Sequence, residues 1–138
     1  MIRRVLILLP VLAVSGCGST PLCSTEIVQR AYDRGSDRYA IVEARDCGAT
    51  TDTATVVKLG RSGRPADTTT EIFIADSDHG ATDLQRAGNI WISVVWPRPG
   101  VLSIAYASKA RVFRREPSAE GASITYIASD PLTLPPLP

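Results

Sequence analysis

His79 is the single histidine of the chain, and it stands among acids in Asp76-Ser77-Asp78-His79-Gly80-Ala81-Thr82-Asp83. Carboxylates and an imidazole at this density have the donor types to hold a cation. The spacing argues against it. A calcium loop of the D-x-[DN]-x-[DN]-G type needs a third oxygen donor where Gly80 stands and a distant glutamate where Ala87 stands. Zinc needs more imidazole or thiolate than the chain offers. Asp76, Asp78, His79 and Asp83 are therefore weak metal candidates, and a solvated loop is the simpler reading. No cofactor is expected.

The other chemistry-bearing residues form no complete set. A serine hydrolase of the G-x-S-x-G type is not encoded, since Gly60-Arg61-Ser62-Gly63 is off that pattern. No glycine-rich loop opens a helix, so there is no nucleotide fingerprint. Cys47 could meet His79 only through the fold. The checklist of nucleophile, base and oxyanion donors is not filled, and the chain is not expected to be an enzyme. Arg111, Arg114 and Arg115 form a basic cluster that could touch anionic lipid or glycan phosphate. Glu116 and Glu120 dilute it, which favours a solvated strand end. Trp91 and Tyr106 could present an aromatic surface to peptide or sugar, with cross-strand core packing as the simpler alternative.

The amino terminus carries the strongest signal. Arg3 and Arg4 precede an apolar run from Val5 to Val14 that is broken only by Pro10. That run is too short for a transmembrane helix, which needs about 20 residues. It suits the apolar part of a cleaved signal peptide. It ends in Val14-Ser15-Gly16-Cys17, an aliphatic residue, two small residues and a cysteine. This resembles the lipobox of bacterial lipoproteins. The resemblance implies that the Cys17 thiol takes a diacylglycerol, that residues 1–16 are removed, and that the new amine is often acylated. Two or three acyl chains make a firm membrane anchor, whereas one binds marginally. An ordinary secretory signal cut near Ser15 is the rival reading. Gly18 and Ser19 follow the cysteine in place of aspartate, which by the same resemblance favours the outer membrane, facing the periplasm, in an organism that has one.

Removing residues 1–16 leaves 122 residues, enough for one modest domain. It also takes away Arg3 and Arg4, leaving 13 basic residues against 14 acidic ones. That balance argues against a nucleic-acid partner, which needs a concentrated basic face. With Cys17 lipidated, Cys23 and Cys47 remain. An even pair in an exported chain is most simply a disulfide. Two buried thiols, or a reactive Cys47, are the alternatives.

Residues 17–22 read as a lipidated tether, 23–129 as the folded body and 130–138 as a proline-rich, extended or disordered tail. Within the body, residues 24–32 and 38–46 predict a hairpin around Asp33-Arg34-Gly35-Ser36-Asp37, although Ile27, Val28 and Ala31 also fit a short helix. Arg45-Asp46-Cys47-Gly48-Ala49-Thr50-Thr51 follows as a structural corner. Here the body resembles a group of small exported bacterial proteins that share the Asp-Cys-Gly-Ala-Thr-Thr segment. The likeness runs on through Trp96 and the strand after it, and implies no activity. The group's Ser-Pro-Asp-Gly turn is replaced by Arg34-Gly35-Ser36-Asp37.

Further strands are expected at 53–59 and 71–75. Residues 76–88 are polar and read as a long loop. Asn89 to Trp96 reads as a central strand because it is apolar on both faces. Pro97-Arg98-Pro99-Gly100 then turns into a strand from Val101 to Tyr106. Two short strands, at 112–113 and 123–128, complete the set. Seven or eight short strands with turn signals between them predict an all-β fold, a small antiparallel β-sandwich or barrel. The function expected is a lipid-anchored envelope module, non-enzymatic, binding a protein partner or stabilising an assembly. An inhibitor of a hydrolase such as lysozyme is the alternative. A metal-dependent enzyme is the less favoured one.

Overall fold

The computed structural model describes residues 22–131. Residues 1–21, with the expected signal peptide, Cys17 and most of the expected tether, and residues 132–138 of the expected tail lie outside the described residues. Among those described there is no α-helix, and none long and apolar enough to cross a membrane.

The chain is all-β. Its strands are β1 (Ser24–Tyr32), β2 (Arg38–Asp46), β3 (Ala54–Arg61), β4 (Thr70–Asp76), β5 (Ile92–Arg98), β6 (Val101–Tyr106), β7 (Arg111–Arg115), β8 (Ser118–Ala119) and β9 (Ala122–Ala128). They form a five-stranded sheet in the order β1-β2-β3-β4-β7 and a four-stranded sheet in the order β5-β6-β9-β8. The two sheets do not close on each other, so the fold is a sandwich and not a barrel.

Local sequence explains most of the first sheet. The turn formers at 33–37 join β1 to β2, which pair antiparallel from Ser24↔Asp46 to Tyr32↔Tyr39. The helical alternative for residues 24–32 is not realised. Asp33 locks the turn. Its Oδ2 accepts from Ser36 Oγ at 3.0 Å, Arg38 Nε at 2.9 Å and the Gly100 amide at 3.1 Å. The last of these ties the turn to the β5–β6 hairpin of the opposite sheet. Gly100 has φ +73, the conformation a type II turn requires after Pro99.

The core lies between the sheets. Leu59, Ile72 and Phe73 from one sheet and Val94, Leu102 and Ile104 from the other are essentially inaccessible. Phe73 sits 5.0 Å from the Tyr106 ring and 5.9 Å from the Tyr126 ring, centroid to centroid, within the preferred range for aromatic pairs.

Three features depart from the sequence expectations. β5 is an edge strand, not a central one. Its second apolar face ends in Val95, which is half exposed, while Ile90 is buried outside the strand in an isolated bridge to Leu84. β6 and β9 pair in parallel, from Val101↔Ser123 to Tyr106↔Ala128, within an otherwise antiparallel architecture. The chain reaches that geometry by crossing to β7 in the other sheet and back. Tyr106 is a core residue and does not form a surface with Trp91, which is only half-buried.

The register fixes the two ends of the sandwich. Ser24, Asp46, Ala54, Asp76 and Arg111 lie at one end of the larger sheet, and Ile92, Tyr106 and Ala128 at the same end of the smaller one. The 33–37 turn, the 62–65 loop and Pro99-Gly100 lie at the other end. The Cys23–Cys47 disulfide closes the first end, joining the residue before β1 to the residue after β2.

Candidate functional site

Two places in the fold bring chemistry together. The first is the acidic loop after β4. Asp78 (φ 50) and His79 (φ 57) are consecutive left-handed residues, followed by Gly80 at φ 87. Ordinary side chains avoid that region, so the surrounding bonds must hold them there. They do. The Asp78 amide donates to Asp76 Oδ1 at 2.9 Å, the His79 amide to Asp52 Oδ2 at 2.7 Å, and the Gly80 amide to Ser77 Oγ at 3.2 Å.

A guanidinium occupies the centre of this cluster. Arg111 donates from Nε to Asp76 Oδ1 at 3.1 Å and from Nη2 to Asp76 Oδ2 at 2.5 Å, the bidentate fork suited to a carboxylate. Asp78 lies 3.6 Å and Asp52 3.9 Å from the same guanidinium. The positive charge that the carboxylates attract is thus supplied by the chain itself. Burial pushes the Asp76 carboxyl up, but the Arg111 hydrogen bonds, the Asp78 amide and the nearby charge outweigh it and hold the group below the usual carboxylate range. Arg111 is therefore not part of a solvated basic cluster with Arg114 and Arg115, as the sequence suggested. Arg115 reaches Tyr106 Oη at 3.3 Å and lies over the Tyr126 ring, while Arg114 is exposed.

The loop holds Ser77, Asp52 and His79, the residue types of a hydrolytic triad, but in the wrong order. Ser77 Oγ is 3.4 Å from Asp52 Oδ2, not within reach of an activating imidazole. His79 Nε2 faces Arg111 Nη1 at 3.2 Å. A guanidinium only donates, so this nitrogen is the acceptor and cannot take a proton from serine there. Ser77 is also buried. Asp83, the fourth residue of the sequence cluster, lies apart, in a cleft with Trp91, Lys109 and Asp130. Asp52 and Arg111 were invisible as cluster members in the sequence. Only the β4–β7 pairing, through Asp76↔Arg111, brings the latter in.

The second place is the flank where β1 faces β5. Both are edge strands of their sheets. Among the described residues no backbone hydrogen bond joins them. Side chains do: Gln29 Nε2 donates to the Val94 carbonyl at 2.9 Å, and Trp96 Nε1 to the Ala31 carbonyl at 3.1 Å. The opposite flank is joined by the chain itself, which passes from β7 to β8. There the Glu116 amide donates to the Ile72 carbonyl of the larger sheet at 2.9 Å and the Ile124 amide of the smaller sheet to the Pro117 carbonyl at 2.9 Å.

Two clefts open along the β1/β5 flank, one on each side of these bridges. One, near the disulfide end, is about 510 Å³ and includes Ile27, Gln29, Arg86 and Trp91 in its lining. The other, at the far end, is about 470 Å³ and includes Tyr32, Arg34, Trp96, Pro97 and Arg98. Ile27, Tyr32 and Val95 are exposed apolar or aromatic side chains on the same flank. Sequence alternation could not reveal this feature, because it depends on which strands end up at the two edges.

Comparison with protein-family models, curated proteins and solved structures finds no match to this chain.

Proposed function

We propose that the protein is a lipid-anchored cell-envelope module that binds a partner protein along the β1/β5 flank and performs no chemistry of its own. The observation that carries this reading is the flank itself. Two edge strands meet there without backbone pairing, and two clefts with exposed apolar and aromatic side chains run beside them. Unpaired edges and exposed apolar groups are the raw material of strand-mediated recognition. The location part of the reading rests on Val14-Ser15-Gly16-Cys17. The Cys23–Cys47 disulfide supports an oxidising compartment such as the bacterial envelope.

Two measurements test it separately. Growth with labelled palmitate is expected to mark the wild-type protein and not Cys17→Ser; equal labelling would remove the anchor at Cys17. A photoactivatable side chain placed at Val95, on the flank, is expected to give a discrete adduct in native envelopes. The same group at Thr125, an exposed position of β9, is the control. Adducts of equal yield from both positions, or none from Val95, would overturn the flank as the binding surface.

A further inference from the structure

We infer that the far cleft of the β1/β5 flank is a binding site for an extended acidic peptide, with Arg34 and Arg98 as the charge-reading residues. The inference deepens the proposed function by naming the chemistry of its partner, and it rests on the flank being the binding surface. The first observation is charge. At the far end of the sandwich the acids next to arginines are already taken. Asp33 pairs with Arg38 at 2.9 Å, Asp37 with Arg61 at 2.5 Å, and Glu120 with Arg61 at 3.1 Å and Arg64 at 3.3 Å. Arg34 and Arg98 are exposed, line the same cleft, and have no acidic partner among the described residues. Uncompensated guanidinium groups around one cleft favour an anionic guest, and their fork geometry suits carboxylates.

The second observation is shape and apolar character. The same cleft is lined by Tyr32, 64% exposed, the half-buried Trp96, and Val95, 50% exposed. An extended chain places alternate side chains on opposite faces about 3.3 Å apart. The face that such a peptide turns to the cleft must carry both kinds of side chain, carboxylates for the arginines and apolar groups for Tyr32 and Val95. The edge strands offer main-chain groups for such a guest, and a glycan has no matching array.

Position agrees with this. The end that carries Cys23 has more acid than base, with Asp46, Asp52, Asp76, Asp78, Asp83 and Asp130 against Arg45, Arg86, Lys109 and Arg111. Tethered from that end, the body would present the far cleft away from an anionic membrane surface. The nine residues of β2 span about 30 Å at about 3.3 Å each, which separates the cleft from the tether by that height.

The test uses the full-length lipidated protein in lipid nanodiscs and a short fluorescein-labelled peptide in which every second residue is in turn glutamate and valine and the others are serine. Fluorescence anisotropy is expected to show saturable binding. An Arg34→Glu, Arg98→Glu variant is expected to bind at least about tenfold more weakly, the scale of a lost charge-assisted contact. Arg114→Glu, exposed on β7 at the other edge of the larger sheet, is expected to leave affinity unchanged. A glutamine-for-glutamate peptide should bind as weakly as the double variant does. Raising ionic strength from about 0.1 M to about 1 M, which shortens screening from about 10 Å to about 3 Å, should weaken wild-type binding as well. That second readout does not depend on the variant folding. Equal affinity for wild type and double variant, indifference to salt, or equal binding of the glutamine peptide would overturn the proposal. So would tighter binding of a carboxylated oligosaccharide than of the peptide. A Val95 adduct in native envelopes without saturable peptide binding would keep the flank and overturn the acidic peptide, so the two readings fail separately.

Discussion

Arg111 reaches from the start of β7 to Asp76 at the end of β4 and holds both oxygens of its carboxylate. Asp76 is the more buried partner, with 7% of its side chain exposed against 38% for Arg111. Removing the arginine would leave a buried carboxylate with one amide donor, from Asp78. Breaking a pair from the exposed side strands the buried charge. Arg111→Met is therefore expected to lower the urea midpoint clearly more than Arg114→Met, a change at an exposed position of the same strand. Adding Asp76→Asn to Arg111→Met should recover part of the loss, because the stranded charge is gone. Chemical denaturation of the four proteins checks this, and equal effects of Arg111→Met and Arg114→Met would show that the fork does not hold the β4/β7 edge.

The same logic gives a pH dependence. Burial pushes the Asp33 carboxyl up, but the Gly100 amide, the Ser36 hydroxyl and Arg38 together hold it below its ordinary value. Asp76 is held low in the same manner. A carboxyl whose folded value lies below its unfolded value contributes stability that is fully present above the unfolded value. That contribution is lost as pH falls through the folded one. Both groups start from about 3.8, so the loss begins near pH 4 and grows below it. Thermal melting from pH 6 to pH 2 should show a steep fall for the wild type. Asp33→Asn should be less stable at pH 6 and flatter across the range. A wild-type curve that is flat below pH 4 would contradict the assignment.

The disulfide links residues 24 apart. In the chain-entropy account, a loop of that length stabilises the fold by about 3 kcal/mol. Replacing both Cys23 and Cys47 by alanine should lower the unfolding free energy by about that amount. Dithiothreitol should do the same to the wild type and nothing to the variant. Guanidinium denaturation with and without reductant separates these outcomes.

Local pattern and long-range pattern were not equally legible in the sequence. Alternation at Val101 to Tyr106 after Pro97-Arg98-Pro99-Gly100 specified the β5–β6 hairpin, because a tight turn brings its own strands together. The β1–β2 hairpin was legible for the same reason, and the pair Cys23 and Cys47 pointed to its disulfide. β5 misled the reading. Apolar residues on both faces suggested a central strand, but one face is buried by the sandwich and Val95 is left half exposed on the other. The parallel β6–β9 pair and the β4–β7 pair join segments that no short turn connects. Asp52 and Arg111 enter the acidic loop only through such pairing. His79 and its neighbouring acids read as a solvated loop with only weak metal candidates, and the sequence could not show that a guanidinium arrives from more than thirty residues away.

The bridges across the β1/β5 flank lead to the last prediction. Trp96 Nε1 donates to the Ala31 carbonyl and Gln29 Nε2 to the Val94 carbonyl. Each bond ties one edge strand to a main-chain oxygen of the other, so the two reinforce one another. Trp96→Phe keeps a large ring and removes the donor, which should cost about 1 kcal/mol. Gln29→Ala should cost a similar amount. The larger consequence is local, because β1 would keep its hydrogen bonds to β2 but lose its hold on the opposite sheet. Amide exchange in β1 should accelerate in the double variant while β3 and β4, in the middle of the larger sheet, stay protected. Freed edge strands are also prone to pair with one another between molecules. The double variant should therefore form concentration-dependent oligomers that the wild type does not form at the same concentration. Exchange mass spectrometry and analytical ultracentrifugation measure the two effects. Unchanged exchange in β1 would mean that core packing, and not these two bonds, keeps the flank shut.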